Sequence, residues 1–327
     1  MEDTAMQEPQ SFTDIMRWSE TEARKYLASI RWPDGAVCPN GCAAKVYEFE
    51  AKTRRKGKVT GTRHLLKCSQ CRRQFSVKLG TIFEDSKVPL SKWLAAIWLM
   101  CASKKGISAH QLHRMLDVHY RTAWYMGHRV RHAMKDRGGL LSGIIEADET
   151  YVGGKPRGHV HERTPGRERA RVRGGIRAKV PVFGILERGG RVRPIVMQGV
   201  NKAKVENALA EHVRLADSVL MTDESKLYKD AKEILPHSVV KHRETYVTGK
   251  DIHTQGIEGF WSRLKRQLYG THHHVQAGFL GMYADECAFK HNTRELTDRD
   301  RFAEAMRLSP GQRLSWFSSA GETRPTP

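Results

Sequence analysis

The sequence predicts an α/β protein in which a cysteine module and a helical segment precede the main domain. Three observations lead to this fold class. Two close cysteine pairs lie within residues 37–80, two short helical patterns joined by a tight turn lie within 86–137, and strand-like runs alternate with helical ones within 138–310. Alternating strands and helices are typical of α/β domains, and short helices around a tight turn outline a helix-turn-helix.

The charge of the chain favours nucleic acid as its partner. Its 327 residues include 56 lysines and arginines against 36 aspartates and glutamates, a formal net charge of +20. Such an excess attracts polyanions, of which nucleic acid is the commonest, with a ribosome-associated or membrane-surface role as the alternative. The sequence contains no run of about 18 apolar residues, so no membrane span is predicted. The acidic start is not typical of a signal peptide, so we expect a cytoplasmic, nucleoid-associated protein with reduced cysteines.

Residues 1–36 form the first predicted segment, a short helix that ends at Pro33, Asp34 and Gly35. Proline and glycine at such a point stop a helix.

The cysteine module of residues 37–80 carries Cys38 and Cys42 in one close pair and Cys68 and Cys71 in another. Four thiolates in two such pairs form the ligand shell of a tetrahedral Zn²⁺ ion. A segment this small lacks a core, so the metal would supply its folding energy. Because protein fills all four positions, we expect structural zinc. A redox dithiol or unrelated buried thiols are the alternatives, and the first pair is one residue wider than usual.

The segment 86–137 contains three helical patterns, of which Pro89 opens the first and Ser108 caps the second. The first includes Cys101, for which core packing is expected, as it is for Cys287 further along the chain.

The third helical pattern, from Thr122 to Met134, would be the recognition helix of a helix-turn-helix. Arg121, Arg129 and Arg131 are predicted on or near its exposed face, where they would contact DNA phosphates and base edges. An ordinary three-helix packing unit with a solvated basic face is the alternative.

A change of pattern after Gly139 marks the main domain. Residues 143–154 are typical of a strand, and the basic stretch 155–179 lacks apolar periodicity and is predicted to be a mobile loop. The remaining predictions are a hairpin at 180–199 turning at Gly189 and Gly190, a helix at 202–215, a strand at 218–223, a short helix near 225–234, a strand at 237–242, two helices beginning near Gly256 and Gly278, and a flexible tail at 311–327.

Three acidic residues in the main domain form a candidate catalytic set. Asp148 lies in the first strand, Asp223 directly follows an apolar strand, and Glu258 lies on a helix. Carboxylates facing an open site are suited to hard cations. The hypothesis is that the three hold two Mg²⁺ or Mn²⁺ ions, one to activate water or a 3′-hydroxyl and one to stabilise the leaving oxygen. For any one of them a plain surface charge is the alternative.

Neighbouring residues refine this candidate set. Glu146 shares the strand face of Asp148 and is a rival ligand, whereas Glu149 is expected to point to the opposite face. Lys265 lies seven residues, or about 10 Å of helix rise, after Glu258. That is too far for the usual helical ion pair, so Lys265 is predicted to contact a phosphate.

Histidines flank the helix of the third acid, at His253 and at His272, His273 and His274. Imidazoles at such a place bind phosphate, orient water or bind metal, and a basic, partly solvated rim is the alternative.

Five segments of the chain resemble a known family. They are CRRQFSVKLGTIFEDSKVPLSKW, SKKGISAHQL, ADETYVGGK, HTQGIEGFWSRLKRQLYGTHHHV and YADECAFKHNTR. In this order they are similar to the zinc-ribbon insertion-sequence transposases of the fifteen-ninety-five family, within the DDE superfamily. The family usually has Asn at the position of Gln255, and its third catalytic residue varies.

The resemblance implies an RNase H-like catalytic domain at 138–310 behind the zinc ribbon. The catalytic acids would be Asp148, Asp223 and Glu258, with Lys265 as the helix lysine and Arg266 as a further DNA contact. The protein would bind the terminal inverted repeats of its element, cleave at the ends and join the 3′ ends to target DNA, as a homodimer or larger assembly. A catalytically inactive, domesticated DNA-binding regulator and a general nuclease of the same fold are the rivals.

Overall fold

The computed structural model describes residues 8–55, 58–153, 179–240 and 253–314. The chain divides into two compact units, the first formed by residues 1–134 with 295–327 and the second by 135–294. Apart from Lys179, the predicted mobile loop lies outside the described residues, as do the end of the predicted strand at 237–242 and most of the predicted tail.

Two helices open the first unit, α1 (Phe12–Arg17) and α2 (Glu20–Arg31). Ser11 and Ser19 each start one of them with a capping box, in which the serine hydroxyl accepts from the backbone N–H three residues on. The pattern predicted as one helix is therefore divided, because the second box begins a new helix at Ser19.

The cysteine module folds as an antiparallel sheet of β1 (Val46–Arg55), β2 (Lys58–Cys68) and β3 (Gln74–Phe75), in that order. These strands lack the alternation of apolar and polar residues that would have predicted them. The reason is that the first half of β2 is exposed on both faces, so no apolar periodicity is needed there.

Three helices follow, α3 (Leu90–Ala102), α4 (Ala109–Leu116) and α5 (Tyr120–Ala133). Their order agrees with the prediction, and Pro89 and Ser108 precede the first two helices as expected, whereas the third begins two residues before the predicted Thr122. Asp117 makes the turn between α4 and α5 with a left-handed φ of 46°. Cys101 is buried in α3, as expected.

The second unit contains a five-stranded sheet in the order β6-β5-β4-β7-β8. The first three strands pair antiparallel, and β7 and β8 run parallel to β4. This order and these directions are those of an RNase H-like domain, as predicted. The strands are β4 (Leu141–Val152), β5 (Val180–Glu187), β6 (Val192–Val196), β7 (Val213–Thr222) and β8 (His237–Val239).

Helices cover both faces of this sheet. On one face α7 (Gln255–Gln267) and α8 (Leu280–Asn292) pack over Val182 and Leu186, and Cys287 is buried there as expected. On the other face α6 (Lys202–His212) packs over Phe183 and Ile185. Successive side chains of β5 therefore enter the two cores in turn, as in a strand that is buried on both faces. None of the helices in the described ranges is both long and apolar enough to cross a membrane.

The predicted end of the catalytic domain at residue 310 is wrong. Helix α9 (Asp298–Arg307) belongs to the first unit, where the ring of Phe302 lies 6.0 Å from that of Tyr26 and 5.2 Å from that of Trp98. The predicted flexible tail also starts too early, because Leu314 is buried in that unit and its carbonyl accepts from the Tyr125 hydroxyl. The chain returns to a unit that it left at residue 134, and local patterns do not reveal such a return.

Candidate active site and metal centre

The four predicted zinc ligands converge in the first unit. The sulfur atoms of Cys38, Cys42, Cys68 and Cys71 all lie within 4.8 Å of one another, and those of Cys38 and Cys71 are 3.6 Å apart. Zn–S bonds of about 2.3 Å in a tetrahedron place sulfurs about 3.8 Å apart, so the cluster fits a zinc ion. A hydrogen bond from the backbone of Arg73 is the main cause that lowers the pKa of Cys71, whereas the hydrogen bond with Cys71 is the main cause that raises the pKa of Cys42. A bound cation would stabilise the thiolate form of both.

The prediction that three arginines of α5 lie on an exposed, DNA-contacting face is wrong for two of them. Arg129 and Arg131 are only 6% and 3% exposed. The Arg129 guanidinium donates to the carbonyls of Ile82 and Glu84 and lies over the Tyr125 ring. These two arginines lie in the interior of the first unit. The second half of α5 is buried around most of its circumference, so its basic residues are buried with it. Arg121 is exposed.

The first two predicted catalytic acids lie side by side in the second unit. Glu146 on β4 pairs with Met221 on the parallel strand β7. Asp148 lies two residues further along β4 and Asp223 directly follows the end of β7, and the charge of Asp223 acts on Asp148. Parallel neighbouring strands therefore bring two acids together that are far apart in sequence.

The electrostatics of this pair are unfavourable without a cation. Burial and then the charge of Glu149 raise the pKa of Asp148, with a further contribution from Asp223, to about 6. The Asp223 carboxylate accepts from the backbone N–H of Ser225 at 3.0 Å. Like charges gathered in a half-buried place are the arrangement that a bound cation would stabilise.

Asp148 is oriented by a tryptophan on α7. The indole Nε1 of Trp261 donates to Asp148 Oδ2 at 2.9 Å. The ring lies against the backbone of Gly184 on β5, where an added Cβ would be 2.6 Å from two ring carbons and 2.8 Å from Ile257. Glycine is thus required for this contact. No local pattern in the sequence indicated this bond between Trp261 and the acid.

Glu146, the rival metal ligand, has its carboxylate occupied by hydrogen bonds within the protein. It is fully buried, and Arg188 donates to its Oε1 at 2.9 Å while the backbone N–H of Ile257 donates to its Oε2 at 3.0 Å. His253 lies 3.5 Å from the same Oε1. Glu146 therefore fixes the start of α7, which carries Glu258, to the strand that carries Asp148.

Glu149 points to the opposite face of the sheet, as predicted. Its Oε2 accepts from the hydroxyl of Tyr228 at 2.7 Å. Tyr228 is buried in the core under α6, whereas Trp261 belongs to the core under α7. Burial raises the pKa of Glu149, and the charge of Asp223 adds to this.

The third predicted acid is less closely placed. Glu258 is exposed on α7, and its Oε1 accepts from the Thr254 hydroxyl at 3.1 Å. Among the described residues, the four cysteines are the only group of three or more potential ligands within 4.8 Å of one another, so Asp148, Asp223 and Glu258 do not form so tight a cluster.

Two predicted DNA contacts follow Glu258 on α7. Lys265 and Arg266 are both exposed, and the Arg266 guanidinium donates to the Ser262 hydroxyl.

The flanking histidines fall into different surroundings. His253 contacts Glu146 and Arg188, and the ring of His272 lies 4.7 Å from that of Tyr283. His273 and His274 are exposed. For His253 the contact is thus with the residues that hold α7.

Two domain families match the chain in the order predicted. Residues 18–74 match the transposase zinc-ribbon domain, and residues 140–292 match the ISXO2-like transposase domain. The second match ends close to residue 294, where the second unit ends.

A relative that is similar over most of the chain agrees with these matches. The chain is 30% identical over 257 residues to the "Uncharacterized protein in transposable element ISH50" of Halobacterium salinarum, covering 76% of this chain and 83% of the relative. A chain of a simian T-cell lymphotropic virus intasome, solved in complex with PP2A regulatory subunit B56 gamma, aligns with a TM-score of 0.27 at 13% identity over 59% of this chain and 64% of that one. An alignment so loose supports no conclusion. The two domain matches and this relative show that the chain belongs to the zinc-ribbon insertion-sequence transposases of the fifteen-ninety-five family.

Proposed function

We propose that the protein cleaves DNA at the ends of its own element and joins the 3′ ends to target DNA. The observation that carries this proposal is that Asp148 on β4 and Asp223, directly after the neighbouring parallel strand β7, lie close enough in a transposase domain for their charges to interact. The negative charge of each acid is unfavourable for the other. Such a pair is suited to hold divalent cations at a site for phosphoryl transfer.

Two Mg²⁺ or Mn²⁺ ions fit this arrangement. Oxygen ligands lie about 2.1 Å from Mg²⁺, and the ions of a two-metal site are about 3.5–4 Å apart. Carboxylate oxygens at the two ends of such a pair are thus about 8 Å apart, so Glu258 need not lie within 4.8 Å of both aspartates. Asp148 and Asp223 would share the ions, and Glu258 would complete the set from α7.

When bound, the ions would supply an activated water or 3′-hydroxyl and stabilisation of the leaving oxygen. The residues of the chain have separate tasks. Trp261 holds Asp148 in its rotamer, and Glu146 holds the start of α7 and so the position of Glu258. Lys265 and Arg266, exposed on α7, would bind phosphates of the DNA.

The first unit would bind the DNA ends. The cysteine cluster would hold a structural Zn²⁺ that stabilises the ribbon, and Arg121 at the start of α5 would contact DNA. Because two ends must be joined in one reaction, we expect a homodimer or larger assembly. A protein with this substrate would work in the cytoplasm with the nucleoid.

The test compares binding with chemistry. Asp148→Asn and Asp223→Asn each remove one charge at nearly constant shape, so strand transfer in Mg²⁺ should fall below detection while binding to the element's ends is unchanged. Glu258→Gln tests the third acid in the same assay. Transfer retained by either aspartate variant would refute the metal role. A wild-type protein that binds ends but never nicks them in Mg²⁺ or Mn²⁺ would be the inactive regulator.

A further inference from the structure

A cavity of about 350 Å³ adjoins Asp223 on the side of β8. Its wall comes from the segment that follows β7 and from His237 and Val239. Three lysines of that segment line it, Lys226, Lys229 and Lys232, which we call the lysine row. The proposed catalytic residues do not include them.

The spacing of the lysine row follows from the local backbone. The segment contains two 3₁₀ turns, Lys226–Tyr228 and Ala231–Glu233. A 3₁₀ helix has about three residues per turn and rises about 2 Å per residue. Within the first turn, Lys226 and Lys229 therefore lie on one side, about 6 Å apart, and Lys232 of the second turn lines the same cavity. All three are exposed.

The ammonium groups of the lysine row are not neutralised. Within the described part of the chain, no carboxylate lies within salt-bridge distance of any of the three. Asp230, the acid between the two turns, is paired with Lys202 instead. The cavity also contains Asp223 and the exposed Glu224, so its negative charge is confined to the end nearest the acid pair.

We propose that the lysine row binds backbone phosphates of the DNA duplex next to the reacting bond. One strand of DNA rises about 3.4 Å per nucleotide along the helix axis and also winds around it, so neighbouring phosphates lie about 7 Å apart in space and would meet successive lysines. Lysine acts as a point charge, and contacts of this kind set the position of the duplex without reading its sequence. The inference rests on the proposed function, because DNA must reach Asp223 for the row to meet it.

Salt dependence of binding is the direct test. Each phosphate contact contributes about 0.9 to the slope of log K against log salt concentration. The triple variant Lys226→Gln, Lys229→Gln, Lys232→Gln should therefore lower the magnitude of the slope by about 2.7. Between about 50 and 200 mM salt the wild type would then lose about 40-fold more affinity than the variant. The probe is a short duplex of arbitrary sequence, in buffer without Mg²⁺ or Mn²⁺.

Two controls separate the row from general loss of charge. Lys204→Gln removes an exposed lysine of the same unit whose ammonium donates to the carbonyls of Gln198 and Gly199, so its slope should equal that of the wild type. Exchanging all three row lysines for arginine should restore the slope. An unchanged slope in the glutamine triple variant, with an intact circular dichroism spectrum, would overturn the inference.

Failure of the lysine row is distinguishable from failure of the proposed function. The slope is measured without catalysis, whereas the function is tested by Mg²⁺-dependent strand transfer. If the glutamine triple variant has a lowered slope but the wild type never cleaves DNA, the lysine row is supported and the reaction is refuted. If the triple variant has the slope of the wild type and the wild type carries out strand transfer, the reaction is supported and the lysine row is refuted.

Discussion

Asp148→Asn is expected to stabilise the protein in the absence of Mg²⁺ and Mn²⁺ while it removes strand transfer. Burial, and then the charges of Glu149 and Asp223, raise the pKa of Asp148 to about 6 from an ordinary value of 3.8. Asparagine has no charge to bury or repel, and its side-chain oxygen still accepts from the Trp261 indole. The variant thus removes the unfavourable interaction and keeps the favourable one.

The size of this stabilisation follows from the difference between the pKa of Asp148 in the folded and unfolded protein. A pKa raised in the folded state favours folding of the protonated form, so this stability is present below about pH 4 and is lost as the pH rises through about 6. At about 1.4 kcal/mol per pKa unit, the loss reaches about 3 kcal/mol at neutral pH. The asparagine variant has no such loss, so its advantage over the wild type should be absent near pH 4 and greatest at about pH 7.

Urea unfolding followed by circular dichroism measures this advantage, at several pH values and without chelator so that the cysteine cluster is undisturbed. Asp136→Asn is the matched control. Burial alone would raise the pKa of Asp136, but the N–H of Gly138 and the guanidinium of Arg193 outweigh it and lower the pKa. That variant should lose stability at neutral pH. An Asp148→Asn protein no more stable than wild type at neutral pH, or a difference independent of pH, would refute the reasoning.

Three further predictions concern the supports of the site. Gly184→Ala should lower the free energy of unfolding by about 1–3 kcal/mol and slow strand transfer, because the new Cβ would be 2.6 Å from the Trp261 ring, about 0.8 Å closer than ordinary contact at 3.4 Å. The control Gly259→Ala on α7, where an added Cβ has nothing within 4 Å, should instead stabilise by up to about 1 kcal/mol. Equal unfolding midpoints for the two variants would contradict both expectations. Glu146→Ala should cost about 3 kcal/mol in urea unfolding because Arg188 loses its buried partner; a neutral effect would show that α7 is held elsewhere. Cys71→Ser should lower bound zinc, measured by atomic absorption, from one ion per chain; full zinc content would exclude the four-cysteine site.

The second unit was largely predictable because its elements are buried and strongly patterned. The strand at Asp148, the hairpin turning at Gly189 and the helix of Glu258 all carry apolar periodicity that secondary structure imposes. The ribbon strands were not predictable, since the hairpin is largely exposed. The return of α9 to the first unit depends on packing of Phe302 against residues far away in sequence, which no local pattern records.

The acids of the candidate site were identified from sequence, but their supports were not. Asp148 and Asp223 could be selected as carboxylates in or after apolar strands. The roles of Trp261, Arg188 and Tyr228 depend on which side chains meet across the sheet, and this becomes known only with the strand order. The face of α5 was misjudged for the same reason, because basic residues of that helix were taken as solvated when it packs on both sides.

The central claim is that three carboxylates of the second unit hold a pair of divalent ions. Anomalous diffraction from crystals of the protein with end DNA and Mn²⁺ tests it most directly. Two manganese peaks about 3.5–4 Å apart are expected, with Asp148 and Asp223 bound to them and Glu258 completing the shell. Density for manganese only at the cysteine cluster or on the surface, with DNA in place, would contradict it.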